Sequence, residues 1–249
     1  MGVKRIVSEE RNRQIKALWE ECSVGEIGAH LGLSKSSIYK RARNLNLPHH
    51  RQMFPKVRIS QEMKEVVDGL LLGGAALMPE GKQAYFVARS QQKIYLEWVL
   101  KMLREVGISP DKKGVERWRR FWQVKTKFHY ELMLFYKRWY PHGRKDVPLD
   151  LKLTPRVALL WFIRGGHLEI NDGKPQRALR FWIGRYSVNG RNQILKELQA
   201  IGLKPAFYVS DRIAMIRIGP GDLDTFFNYI GPCPSELQEI FGHKWMLPQ

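Results

Sequence analysis

The chain carries the same punctuation twice: an apolar run of helical period that stops at paired glycines. The segments are Leu70-Leu71-Leu72-Gly73-Gly74-Ala75-Ala76-Leu77 and Trp161-Phe162-Ile163-Arg164-Gly165-Gly166-His167-Leu168, 91 residues apart. Downstream, Val99, Leu103 and Gly107 recur as Ile194, Leu198 and Gly202. An internal duplication of about 90 residues restricts the chain to two similar halves. Each apolar helix must be covered, and its own copy is the expected cover, with small residues (Gly69, Gly73, Gly74, Ala75, Gly165, Gly166) letting the backbones approach at a pseudo-twofold axis.

Between the copies, Phe135-Tyr136-Lys137-Arg138-Trp139-Tyr140-Pro141-His142-Gly143 leads through Val147-Pro148 to Leu153-Thr154-Pro155. Together with the repeated helices, this order of aromatic, Pro and Gly residues resembles the LAGLIDADG homing endonucleases in their single-chain, two-repeat form. The resemblance runs from about Ile59 to Trp245. It implies an α+β fold of two pseudo-symmetric αββαββα repeats whose antiparallel sheets form a DNA-binding saddle. A β-ribbon fits the major groove as well as a helix does. It also implies a carboxylate at the end of each repeated helix, holding a divalent cation against the scissile phosphate. Hard Mg²⁺ demands oxygen ligands, and it must both activate water and stabilise the leaving oxygen. The positions matching those acids are Gly74 and Gly165, and Arg164 adds a cation beside the second. The expectation is therefore a chain without catalytic residues, metal or cofactor. The alternative is an active endonuclease or nickase using relocated groups, for which Asp68, Glu80, His167, Glu169 and Asp172 are near enough in sequence.

Charge points the same way. Of 249 residues, 42 are Lys or Arg and 24 Asp or Glu, a formal charge of +18. That excess implies a polyanionic partner, nucleic acid before membrane. With 44% apolar residues the chain has a core to bury, so disorder is not expected. Cys22 and Cys233 form no CxxC pattern, which leaves zinc and disulfide frameworks unsupported and suggests a reducing compartment. No stretch reaches the roughly 18 apolar residues of a membrane span. These features lead us to expect a cytoplasmic protein of a prokaryotic cell, nucleoid-associated or encoded by a phage or mobile element.

The organisation read from the sequence is a helix-turn-helix domain at residues 1–47, a basic linker at 48–59, and repeats at 60–149 and 150–249. In the first domain, residues 8–20 are amphipathic through Ile15, Leu18 and Trp19. Ser23 and Glu26 form a capping box for a second helix to Leu31. Gly32-Leu33 makes the turn, and Ser34 caps a third helix with Ile38, Ala42 and Leu45 on its apolar face. The first turns of a recognition helix meet base edges, which selects Lys35, Ser36, Ser37, Tyr39 and Lys40, with Arg41 and Arg43 on phosphates. From Ile27 through Gln61 there is no Asp or Glu. A structural helix interleaves both signs, so this one-sided charge favours DNA. Arg51 lies in the Pro48–Pro55 linker, where His49-His50 lacks a third metal ligand.

In the repeats, the expected pieces of the first half are a helix to Gly73, strands through Arg89, a helix over Gln92–Val106, strands from Val115 to Phe128 and a helix to Tyr140. In the second they are strands near Leu168–Asn171, Leu179–Tyr186, Pro205–Ser210 and Arg212–Ile218, then a helix over Leu223–Ile230. Strand alternation across the 117–128 run puts Trp118, Arg120, Trp122, Val124, Thr126 and Phe128 on a core face. Arg117, Arg119, Phe121, Gln123, Lys125 and Lys127 fall on a nucleic-acid face, a division the hairpin turn can reset. Lys82, Arg180, Arg185, Lys204 and Arg212 are the other candidates for DNA contact.

The function this implies is a sequence-specific double-stranded DNA-binding protein, a transcriptional repressor descended from an inactive endonuclease and acting as a monomer on a long asymmetric site. Bacterial sporulation regulators resemble this pairing of a degenerate endonuclease fold with a helix-turn-helix, in the opposite order. An intron RNA maturase is the further alternative. Replacing Lys35 and Lys40 with Ala is expected to weaken specific DNA binding, and a changed sequence preference in binding-site selection would mark base contact.

Overall fold

The computed structural model describes residues 2–19, 24–47, 59–170, 177–210 and 213–245. They divide into two compact units, Met1–Arg58 and Ile59–Gln249. In the first unit, α1 (Gly2–Leu18), α2 (Val24–Leu31) and α3 (Lys35–Asn44) enclose a core of Ile15, Trp19, Val24, Ile27, Ile38 and Ala42. Helix α1 begins six residues before the expected start. Ser34 caps α3, its hydroxyl accepting from the Ser37 N–H. Gly32 takes φ +62° between α2 and α3, a conformation that suits glycine. Ser23 of the expected capping box and linker residues 48–58, with Arg51, lie outside the described residues.

The second unit runs through one seven-element order twice. The first half is α4 (Gln61–Leu72), β1 (Ala76–Glu80), β2 (Gln83–Ser90), α5 (Lys93–Glu105), β3 (Pro110–Trp118), β4 (Phe121–Thr126) and α6 (Tyr130–Trp139). The second is α7 (Pro155–Gly165), β5 (Gly166–Ile170), β6 (Arg177–Trp182), α8 (Val188–Ala200), β7 (Ala206–Ser210), β8 (Ile213–Ile218) and α9 (Leu223–Ile230), followed by short helical turns through Trp245. The two antiparallel sheets have equivalent orders, β1-β2-β4-β3 and β5-β6-β8-β7. The α+β, two-repeat fold expected from the sequence is thus present.

Local signals place the two repeated helices. Ser60 and Thr154 occupy equivalent N-caps, each accepting from the backbone N–H three residues on, and Pro155 follows at the first helical position. From Val66 to Leu72 every residue of α4 is buried, and α7 buries Val157, Ala158 and Leu160 to Ile163. Such all-round apolarity requires packing on every side. The two helices supply it to each other. A Cβ on Gly69 would lie 2.7 Å from the Leu160 Cβ, and one on Gly73 would lie 3.1 Å from the Leu160 carbonyl oxygen.

Only Gly69 and Gly73 serve this contact, which corrects the expectation for the other small residues. Gly74 has open space around it and φ +106°, so it turns the chain out of α4. Gly165 and Gly166 are close instead to Trp161 and Phe162 of their own helix. Overpacking a tight contact costs about 1–3 kcal/mol. Gly69→Val is accordingly expected to lower the urea midpoint by that free energy with an unchanged m-value.

Candidate nucleic-acid interface

The ends of α4 and α7 set the chemistry at the centre of the second unit. Gly74 and Gly165 offer no side chain there. What the sequence reading missed is a lysine at each end. Lys145 donates from Nζ to the carbonyl oxygens of Leu71 and Ala75, both at 2.5 Å. Lys244 donates to those of Ile163 at 2.8 Å and Gly166 at 2.7 Å. A helix C-terminus leaves its last carbonyls unsatisfied and carries partial negative charge, so an ammonium there is favourable. Burial, with Arg185 nearby, brings Lys145 down to about 7. Burial, with Arg164 nearby, brings Lys244 down to about 8.

Two of the acids proposed for a relocated metal site are occupied otherwise. Asp68 is buried and accepts from Arg138 Nη1 at 2.5 Å and Trp139 Nε1 at 2.7 Å. Desolvation raises its pKa against the pull of Arg138. Glu169 is held by Arg180 and by Arg217, the latter at 3.6 Å. Glu80 ends β1 at an exposed hairpin, His167 is exposed on β5, and Asp172 lies outside the described residues. Among the described residues no three His, Cys, Asp or Glu side chains gather in one place. Glycines at 74 and 165, with lysine nitrogens on the adjoining carbonyls, do not fit a divalent cation, which needs anionic oxygens.

The first sheet corrects the expected alternation. Trp118 pairs with Phe121 across a two-residue turn, and Arg117 pairs with Trp122. Directly paired residues share a face. Trp118, Phe121, Gln123 and Lys125 therefore lie on one face, while Arg117 joins Val115, Trp122, Val124 and Thr126 on the core side. The turn is Arg119-Arg120, with Arg119 at φ +53°, and it exchanges the faces of everything before it. Arg117 still reaches solvent because it stands at the sheet end, its guanidinium 5.3 Å from the Trp122 ring. The strand itself starts at Pro110, five residues before the expected Val115.

Arg89, absent from the sequence candidates, occupies the middle of the outward face. It bonds Gln123 Oε1 from Nε at 2.8 Å and stacks 3.8 Å from the Trp118 ring centroid. Its alternation with buried Ala88 and Ser90 was the available signal. Arg164 donates to the Arg89 carbonyl at 3.3 Å, and both line one pocket with Phe121 and Phe241. Lys82 sits in the exposed β1–β2 turn, at the opposite end of the sheet from Arg119. Lys125 is half-buried and Lys127 exposed just beyond β4.

In the second sheet Arg180 is the sole strand candidate, and its guanidinium is committed to Glu169. Arg185 is exposed after β6, 5.3 Å from the Tyr186 ring, and Lys204 is exposed before β7. Arg212 lies outside the described residues. In the first unit all seven helix candidates fall on α3. Lys35, Ser36, Tyr39, Lys40 and Arg43 are exposed, Ser37 touches the capping Ser34, and Arg41 bonds Asn12 at 3.0 Å.

The buried Lys145 gives a pH signature. Its ammonium is less favourable in the folded chain than in solvent, so unfolding takes up a proton between about pH 7 and the ordinary lysine value. Its contribution therefore improves as pH rises across that window. Relative to Lys145→Met, the wild type is expected to gain stability from pH 7 to pH 10 in urea titrations.

Comparison with known proteins agrees with this architecture. Residues 64–226 match the model of the LAGLIDADG DNA endonuclease family. The homing endonuclease I-WcaI, bound to its DNA recognition sequence, has a TM-score of 0.64 at 16% identity, over 78% of this chain and 89% of its own. I-DmoI in complex with DNA and Ca gives 0.47 at 12% identity, over 72% and 98%. An uncharacterized protein of Methanocaldococcus jannaschii is 26% identical over 165 residues, 61% of this chain, and this chain spans 64% of its length. No helix among the described residues is long and apolar enough to cross a membrane. Sequence match and repeated topology agree: this chain belongs to the LAGLIDADG DNA endonuclease family.

Proposed function

We propose that the chain is a sequence-specific double-stranded DNA-binding protein that does not cut, and that it acts as a transcriptional regulator, a repressor. The observation that carries this reading is the pair of lysines, Lys145 and Lys244, seated on the helix ends beside Gly74 and Gly165. Cleavage in this fold needs negative oxygens at that point to gather a cation, and this chain places lysine nitrogens there instead, donating to the helix-end carbonyls. The outward face of the first sheet keeps Arg89 and Lys125, side chains suited to base edges and phosphates. That I-WcaI is bound to its DNA recognition sequence supports a duplex as the partner.

In this proposal α2 and α3 form a helix-turn-helix that reads a short element beside the longer one under the repeats. Two linked readers raise effective concentration, so one chain suffices for a long asymmetric site. The protein works in the cytoplasm without cofactor. A supercoiled plasmid library carrying the selected site, incubated with the full chain and Mg²⁺ or Mn²⁺, is expected to stay uncut while footprinting shows protection. Site-specific nicks or double-strand breaks would establish a nuclease.

A further inference from the structure

The outward face of the second sheet differs from that of the first. Trp182 pairs with Met215, which pairs with Tyr208, so one row of large side chains crosses β6, β8 and β7. The neighbouring positions Phe181 and Ile216 are fully buried, which puts the row on the face away from the core. Trp182 is 51% exposed and Tyr208 47%. Among the described residues, neither ring stacks on another ring or lies beneath a cation, whereas Trp118 of the first sheet has Arg89 and Arg119 at 3.8 and 4.9 Å. Beside the row stand Arg180 and Arg217, cross-strand partners clamped by Glu169.

We infer that Trp182 and Tyr208 form a platform for unpaired nucleobases in the bound DNA, one on each ring, so that this half recognises a site with bases out of the stack. The inference rests on the DNA-binding reading above. An intact duplex offers a protein only base edges and backbone, and the flat faces an aromatic ring stacks on are open only in unstacked bases. The rings are two strands apart, roughly 10 Å, which matches bases splayed from one another and exceeds the ~3.4 Å rise of a stacked strand. The chain's charge of +18 supplies the backbone attraction that stacking alone lacks.

The test uses the full chain and two synthetic DNAs of one sequence: a fully paired duplex, and the same duplex with two bulged fluorescent adenine analogues. The bulged DNA is expected to bind about tenfold more tightly at equal salt, with fluorescence quenched on binding. Trp182→Ala and Tyr208→Ala should each remove most of that preference while leaving affinity for the paired duplex unchanged. Trp182→Phe should retain most of it. Equal affinity for both DNAs in the wild type overturns the inference and leaves the duplex-binding reading standing. So does Trp182→Ala weakening both DNAs alike, which would indicate contact with a paired base such as a thymine methyl. A Trp182-dependent dimer in sedimentation assigns the row to a second copy and overturns it also. Failure to bind either DNA overturns both readings.

Discussion

A single methyl group on Gly69 would collide with Leu160, so α4 and α7 meet at a clearance that only hydrogen permits. Much of the second unit follows from that contact. Buried on every side, the two helices leave one continuous core through both halves. Because the chain passes from α7 directly into β5, and from α4 into β1 through the three residues Gly73–Ala75, the contact also fixes where β1 and β5 begin. Polar bonds reinforce it from one flank: Arg138 reaches both Asp68 on α4 and Asp150 in the segment leading to α7, and Lys64 also reaches Asp150. Breaking one partner of such a buried pair is far more costly than exchanging both for apolar groups, so this tie resists piecemeal loss.

The helix ends illustrate how a fold satisfies its own electrostatics. Carbonyl oxygens at a helix C-terminus need a positive partner whatever the chain does for a living. Lys145 and Lys244 meet that need from segments that follow the last strand of each half, and their burial makes them weak bases. The helix-end carbonyls are thereby satisfied from within. Arg164, Arg89 and Arg185 then leave the surrounding surface cationic.

How far the sequence could be read depended on the range of the interaction. Helices, the Ser34 cap and the repeat were legible because Ser34 and the glycine pairs act within a few residues of themselves. The order of the elements in each half followed from the family resemblance, as the structure bears out. Side-chain faces were harder. The alternation was correct on β4 and reversed on β3, since a turn of two residues flips the parity and the run Arg117-Trp118-Arg119-Arg120 contains no glycine or proline to locate it. The two lysines were invisible for another reason. Each meets carbonyls some seventy to eighty positions away, and the intervals differ between halves, so the offset that revealed the helices does not align them. Arg180 looked like a free cation because its partner Glu169 lies on the neighbouring strand.

The Arg119-Arg120 turn has a consequence for how such a surface changes. A strand has two sides and its parity is set at the bend, so one inserted or deleted residue there would rotate β3 by half a revolution against β4. Glu116 and Trp118 would go inward and Val115 and Arg117 outward, without any substitution along the strand. Loop length at this bend is therefore a coarse dial on ligand preference, able to replace a whole row of contacts in one genetic step.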